Sequence, residues 1–322
     1  MTAAPRHRPL GDTGLTTTAL GLGTAALSVP YGAPQGERAA VGAAAAQATI
    51  ERALARGVRF VDTAPAYGDA ETLVGAALAA AETADCLVAT KLAIPAGGWD
   101  ELDATATRDH VRASAEASLG ALRRDVLDVL ALHNAEPSLT APGSPIVAAL
   151  AQLRAEGLVR ACGATVYGEA AALAAIACDE LAVVQIAMNA LDRAPEARVV
   201  PAARHTGTAL VARSALLRGV LTPAARELSG PFAPLRAAAE RFRGACGATW
   251  EQLPGAAVAF LLGRPGPACV LLGPRDSDGL DALLDDAARF ADVAARLDED
   301  WGAGLAPELL DPRRWPALEG VA

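Results

Sequence analysis

Apolar residues along the chain fall into short unbroken runs, and between the runs the apolar positions recur every three to four residues. The runs lie at Ala19–Gly23, Val58–Asp62, Cys86–Lys91, Leu127–His133, Val159–Ala164, Ala182–Ala187, Ala209–Arg213 and Ala268–Gly273. They read as strands, and the spacing predicts helices over Ala39–Arg56, Asp69–Ala81, Thr107–Leu122, Pro145–Glu156, Gly168–Ala177, Pro195–Thr206, Thr249–Leu262 and Ser277–Leu297. A strand that is apolar at every position expects burial on both faces, as in a parallel sheet covered by helices. Strands and helices in strict alternation predict an α/β fold, a (β/α)8 TIM barrel. A doubly wound open sheet shares the alternation. No GxGxxG follows its first strand, however, which removes the main support for the dinucleotide-binding version.

No Gly/Ser-rich or Pro-rich linker divides the chain, so a single domain over residues 1–322 is expected, with the barrel over about 6–300. Ahead of the first strand, two short strand-like pieces flank Gly11–Gly14 and read as an N-terminal β-hairpin. The C-terminal tail, Trp301–Ala322, is expected to pack against the outer helices.

Barrel sites form at the C-terminal strand ends, and polar residues sit at or near every one. They are Gly23 and Thr24, Asp62, Lys91, His133 and Asn134, Thr165, Gln185, Arg213 and Ser214, and Gly273 and Arg275. Tyr67 lies five residues past Asp62 in the following loop. Taken alone, an Asp after a strand is often only a helix cap, and a loop Tyr is often a packing residue. Composition shifts that balance. Lys and Arg together number 28, and only Lys91 is a lysine. Arg replaces Lys freely for surface solvation but not where a compact or titratable amine is needed, so the one lysine kept at a strand end points to chemistry.

The remaining composition narrows the partners. A hydrophobic content of 52% with 20% charged residues supports a large core. The net charge of −9 and the absence of a basic block argue against a nucleic-acid or membrane-surface partner and favour a small molecule. Five scattered cysteines with no CxxC fit a reducing compartment, and no apolar leader is present, so a cytoplasmic location is expected. No His, Cys or carboxylate pair has metal-ligand spacing, so no metal is expected.

Asp62, Lys91 and His133 on adjacent strands, with Tyr67 between them, make a proton-donating group. The ammonium of Lys91 favours ionisation of the phenol, and Asp62 holds that ammonium in place. His133 is placed to hydrogen-bond a carbonyl oxygen or to share the proton. Such a group polarises and protonates a carbonyl, and a hydride from a nicotinamide supplies the missing nucleophile.

At this point the chain resembles the aldo-keto reductases. The resemblance runs from LGDTGLTTTALGLGT through GVRFVDTAPAYGDAE, ATKLA, SLGALRRDVLDVLALH, GLVRACGATVYG, VVQIAMNALD and VARSALLRGVL to VLLGPRDSDGLDALL. It implies a catalytic tetrad of Asp62, Tyr67, Lys91 and His133, with Tyr67 the general acid/base. It implies NADPH, with NADH open, and reduction of an aldehyde or ketone to an alcohol, or the reverse. Gln185 would bond the nicotinamide amide, and Ser214, Gly273 and Arg275 the pyrophosphate and ribose end. Gly23, Thr24, Asp62, Thr165 and Arg213 complete the expected cofactor-binding residues, and Tyr31, Trp99 and Asn134 the expected substrate pocket.

The chain departs from the family pattern in three places. Thr165-Val166-Tyr167 replaces the usual Ser-Asn, and Arg213 stands where many members stack an aromatic on the nicotinamide. Gly279 and Leu283 occupy positions that commonly hold the 2′-phosphate and adenine, and Asp276 and Asp278 lie close by. Two other readings keep the barrel: a lyase or aldolase with Lys91 as Schiff-base nucleophile, and a cofactor-sensing binding subunit. The substrate is set by the loops Asn134–Ser144 and Ala215–Ala233 and by the tail.

Overall fold

The computed structural model describes residues 7–32, 39–81, 83 and 85–315. The expected helix start at Ala39 falls within them, whereas the last part of the expected tail, 316–322, lies outside. Eight parallel strands close into one barrel: β1 (Leu20–Gly23), β2 (Phe60–Asp62), β3 (Leu87–Lys91), β4 (Leu127–Leu132), β5 (Val159–Thr165), β6 (Leu181–Ala187), β7 (Ala209–Arg213) and β8 (Pro267–Leu272). Each pairs with the next in sequence, and β8 closes on β1. The expected strands are all present within a residue or two. Closure excludes the open sheet.

The interior is filled by one row of side chains from each strand. Phe60, Leu87, Ala89, Val129, Ala161, Val183, Ala209, Val211, Cys269 and Leu271 form one buried cluster, which Leu10 and Leu15 of the hairpin plug from below. The hairpin pairs His7–Pro9 with Thr16–Thr18, and Asp12 N donates to Gly207 O just ahead of β7. It therefore closes the N-terminal end, opposite the expected site. The alternate, outward row packs against helices α1 (Ala43–Ala55), α2 (Ala70–Ala81), α3 (Ala104–Leu122), α4 (Pro145–Ala155), α5 (Gly168–Ile176) and α6 (Val199–Thr206).

Three helices begin later than the spacing predicts. Pro195 and Glu196 lie in a separate turn, Ala194–Glu196, and Arg198 has non-helical φ −130°, so α6 starts only at Val199. Likewise α1 starts at Ala43 and α8 (Leu253–Leu262) three residues after the proline-free stretch that follows Thr249 begins to turn. The helix predicted to Leu297 is broken: α9 (Ser277–Arg289) ends at Arg289, and a short turn, Val293–Arg296, follows.

Among the described residues, one α-helix longer than four residues was not expected. Ala233–Cys246, α7, buries Leu235, Ala238, Ala239, Phe242 and Cys246, a helical spacing that is plain in the sequence. Pro234 at its first turn and its place as an extra helix within a single β/α repeat hid it. With α8, Phe232, Trp301 and Trp315 it builds a second apolar cluster beside the barrel.

Candidate active site

The pleat decides which polar residues meet. In a strand, alternate side chains share a face, so each inward row of core residues continues upward to one residue at the rim. Phe60 is followed by Asp62, Leu87 and Ala89 by Lys91, Val129 by His133, Val183 by Gln185, Val211 by Arg213 and Leu271 by Gly273. The register sets Asp62 beside Ala89 and Lys91 beside Ala131, so neighbouring polar residues are staggered and reach one another across the mouth.

Asp62 and Lys91 are buried, at 5% and 1% exposure, and form the centre. Lys91 Nζ donates to Asp62 Oδ1 at 2.8 Å and to the Thr63 carbonyl at 2.7 Å. Gln185 Nε2 donates to the same Asp62 Oδ1 at 2.8 Å. Burial lowers the Lys91 pKa, but Asp62 and Tyr67 more than offset it, so the ammonium is held above its usual range. Lys91 Nζ stands 5.1 Å from the centroid of the Tyr67 ring, and the His133 ring meets Tyr67 edge-on at 6.0 Å.

Burial pushes the Tyr67 phenol up; Lys91 and Arg213 pull it down, Asp62 pushes it up, and the balance lies above the usual value. The sequence reading expected the ammonium to win. Burial outweighs it, so Tyr67 keeps its proton at neutral pH. Burial, Lys91 and Arg213 together push His133 down to about 4, which leaves a neutral imidazole that can donate one hydrogen bond.

A cavity of about 530 Å³ opens above this group. Asp62, Tyr67 and Gln185 lie at its floor, and the strand-end residues Gly23, Arg213, Ser214, Gly273 and Arg275 line its sides. All three tyrosines of the chain, Tyr31, Tyr67 and Tyr167, line it as well. The loop after β7 carries Ser214, Leu217 and Arg218 at φ 58°, 43° and 49°. Such conformations are costly for residues with a side chain and cluster at binding sites.

Several expected residues lie elsewhere. Thr24 is fully buried and spends its hydroxyl on the Asp62 carbonyl at 3.1 Å. Thr165 is buried, and its hydroxyl accepts from Asn134 N at 2.8 Å, holding the loop that carries His133. Asn134 is exposed and Trp99 packs edge-on against His110 at 5.4 Å; neither lines the cavity. Lys91 and His133 do not line it either; both lie against the ring of Tyr67, which does. The tail corrects the expectation of simple outer packing. Trp301 does pack on Phe242 of α7, yet Pro312 and Arg313 reach the cavity wall, anchored by Trp315, whose Nε1 donates to Leu309 O at 3.1 Å. Arg313 and Tyr167 went unrecognised as site residues because only the folded tail brings them together.

A closed barrel whose strand ends present a paired Asp and Lys, a protonated phenol and a neutral imidazole defines a carbonyl-polarising enzyme. Comparison with known proteins agrees. The model of the aldo/keto reductase family matches residues 19–295. The chain is 30% identical over 232 residues to an NADH-specific methylglyoxal reductase of Escherichia coli (strain K12), which spans 66% of this chain and 68% of that one. It is 36% identical over 163 residues to L-galactose dehydrogenase of Arabidopsis thaliana, 49% of this chain and about half, 47%, of that one. In fold it matches the holo form of an aldo-keto reductase from Bacillus halodurans with a TM-score of 0.73 at 22% identity, covering 92% and 97% of the two chains. The chain belongs to the aldo/keto reductase family. It is an NAD(P)-dependent oxidoreductase whose chemistry is interconversion of carbonyl and alcohol. Among the described residues, no helix is long and apolar enough to cross a membrane.

Proposed function

We propose that this protein reduces a small aldehyde or ketone, or oxidises the corresponding alcohol, with Tyr67 giving or taking the proton. The observation that carries the reading is the buried Lys91–Asp62 pair beneath a phenol that burial keeps protonated. Tyr67 supplies a proton to the carbonyl oxygen, and Lys91 stabilises the phenolate as it forms. His133, neutral, donates a hydrogen bond to the same oxygen and orients it. Asp62 fixes the ammonium, and its second role is to accept from Gln185 and so to aim that amide.

The donors lining the cavity suit a nicotinamide dinucleotide: an amide at Gln185, a hydroxyl at Ser214, the guanidinium of Arg275 and a side-chain-free position at Gly273. When bound, the nicotinamide supplies the hydride. The start of α9 favours NADH over the NADPH that family habit implies. Asp276 caps that helix, its Oδ1 accepting from Gly279 N at 2.7 Å, and Asp278 follows in the first turn. A 2′-phosphate would meet two carboxylates there. The relative from Escherichia coli is NADH-specific.

A Schiff-base lyase is poorly served, since Lys91 is buried, doubly bonded and held protonated. Fluorescence titration with NADH and NADPH, followed by a carbonyl panel, tests the reading. NADH should bind more tightly, and Tyr67→Phe should lower turnover by about a hundredfold or more while NADH affinity changes little. Unchanged turnover in Tyr67→Phe overturns the mechanism, and failure to bind either nucleotide overturns the function.

A further inference from the structure

Most half-buried arginines of this acidic chain are paired with carboxylates. Arg56 meets Asp281 and Asp285, Arg193 and Arg264 share Glu196 and Asp298, and Arg124 meets Asp128. Two arginines that line the cavity are bonded only to neutral acceptors among the described residues. Arg275 donates to the carbonyls of Ala26 and Ala39. Arg213 donates to Ser214 Oγ at 3.2 Å and to the Val166 carbonyl at 2.8 Å. A guanidinium drawn partly out of water without a counter-charge is unfavourable until an anion reaches it.

The two point in opposite directions along the rim. Arg275 reaches toward the segment after β1, the end assigned above to the dinucleotide phosphates. Arg213 reaches toward the loop after β5, and its charge acts on Tyr67, His133 and Tyr31 alike. It is therefore, beside Lys91, a cation of the reacting end. Its position is fixed by stacking: Arg213 Cζ lies 3.9 Å from the centroid of the Tyr167 ring, and Arg313 Cζ lies 3.8 Å from the same centroid. Two guanidiniums cannot share one ring face at that distance, so Tyr167 is clamped between them. Asp311 offsets the charge of Arg313. Asp62, the one carboxylate that lines the cavity among the described residues, is already paired with Lys91. Arg218, the remaining cavity arginine, lies over the Tyr31 ring at 5.0 Å, and among the described residues no carboxylate is paired with Arg213.

We propose, building on the reductase reading, that the substrate is a carbonyl compound carrying an anionic group, carboxylate or phosphate, and that Arg213 receives that group while Tyr67 faces the carbonyl oxygen. Arg213 is then the specificity-determining residue, and the Tyr167–Arg313 stack holds it in position.

The test measures kcat/KM with NADH for two matched pairs: succinic semialdehyde against its methyl ester, and glyceraldehyde 3-phosphate against glyceraldehyde. In the wild type the charged member of at least one pair should be preferred by about tenfold or more, mainly through KM. The pair that shows the preference tells carboxylate from phosphate. Arg213→Gln should collapse the ratio toward one, and Arg213→Lys should restore part of it, because the point charge survives without the planar fork. Arg213 also stands at the expected nicotinamide end, so NADH affinity is read by fluorescence in both variants, and the substrate ratio should fall by more than NADH affinity does. A wild-type ratio near one, or a ratio unchanged in Arg213→Gln, overturns the inference and leaves the reductase reading intact. Loss of NADH affinity in Arg213→Gln with the ratio preserved also overturns it, by assigning Arg213 to the cofactor. Turnover of no member of either pair with NADH bound overturns the inference and leaves the reductase reading to the wider carbonyl panel.

Discussion

At the scale of the residue, the site works by environment. Tyr67, Lys91 and His133 have ordinary side chains whose protonation states are set by burial and by one another, and the states are the ones a reductase needs: phenol, ammonium and neutral imidazole. His133 gives a direct check. Its pKa falls from 6.5 to about 4 on folding, so as the pH drops the unfolded chain takes up this proton before the folded one. The His133 contribution to stability is therefore full above about 6.5 and is lost as the pH falls toward 4. Thermal midpoints compared at pH 7 and pH 4.5 should fall less in His133→Gln than in the wild type. An equal fall would mean that His133 is not held neutral by the fold. The identities of Asp62, Tyr67, Lys91 and His133 were legible in the sequence because the chain's single lysine stands at a strand end between the other strand-end residues, which singles out a group whose members are ordinary one by one. Their protonation states were not, because desolvation depends on what covers a residue.

At the scale of the element, period-2 alternation within each strand turns a list of strand-end residues into a ring. Thr165 and Asn134 support the site without lining it: Thr165 spends its hydroxyl on the Asn134 amide, in the backbone turn that follows His133. Helix packing is as specific. Gly75 in α2 lies against the end of α3, where an added Cβ would stand 2.6 Å from the Ala121 carbonyl oxygen and 2.8 Å from that of Leu122. Alanine gains up to about 1 kcal/mol in helix propensity. Backbone atoms cannot swing away, however, and overpacking costs about 1–3 kcal/mol. Gly75→Ala should thus lower the urea midpoint with an unchanged m value, and a raised midpoint would show that the helices separate freely. The strands were readable because burial on both faces demands unbroken apolar runs. Helix α7 was missed despite an equally clear pattern, since a β/α repeat calls for only one helix per strand.

At the scale of the molecule, the barrel separates its two ends. The C-terminal mouth carries the polar site, and the N-terminal end carries the hairpin plug and Asp128. That buried carboxylate accepts from Val88 N at 2.9 Å, Arg160 at 2.9 Å and Arg124 at 3.3 Å. Asp128→Ala would leave the buried Val88 amide without its acceptor and take the carboxylate from Arg124, which keeps the Cys86 carbonyl, and from the half-exposed Arg160; it should destabilise the fold by about 1–3 kcal/mol. Turnover per folded molecule should stay within about twofold, since barrel stability and chemistry sit at opposite ends. Chemical unfolding together with kcat/KM measures both, and a large drop in kcat/KM at full folding would refute the separation.

By itself the sequence determined eight strands alternating with helices, and the places of Asp62, Lys91 and His133 at strand ends with Tyr67 in the loop after Asp62. These follow from local patterning: apolar runs fix strands, and the strand ends carry rim residues a set distance above the core. Only the tertiary structure decided what surrounds them. The Tyr167 clamp joins residues from β7, the loop after β5 and the tail, and that Arg213 meets no carboxylate among the described residues is a property of every neighbour at once. Electrostatic balance and desolvation are sums over the folded shell, and no stretch of sequence contains that shell.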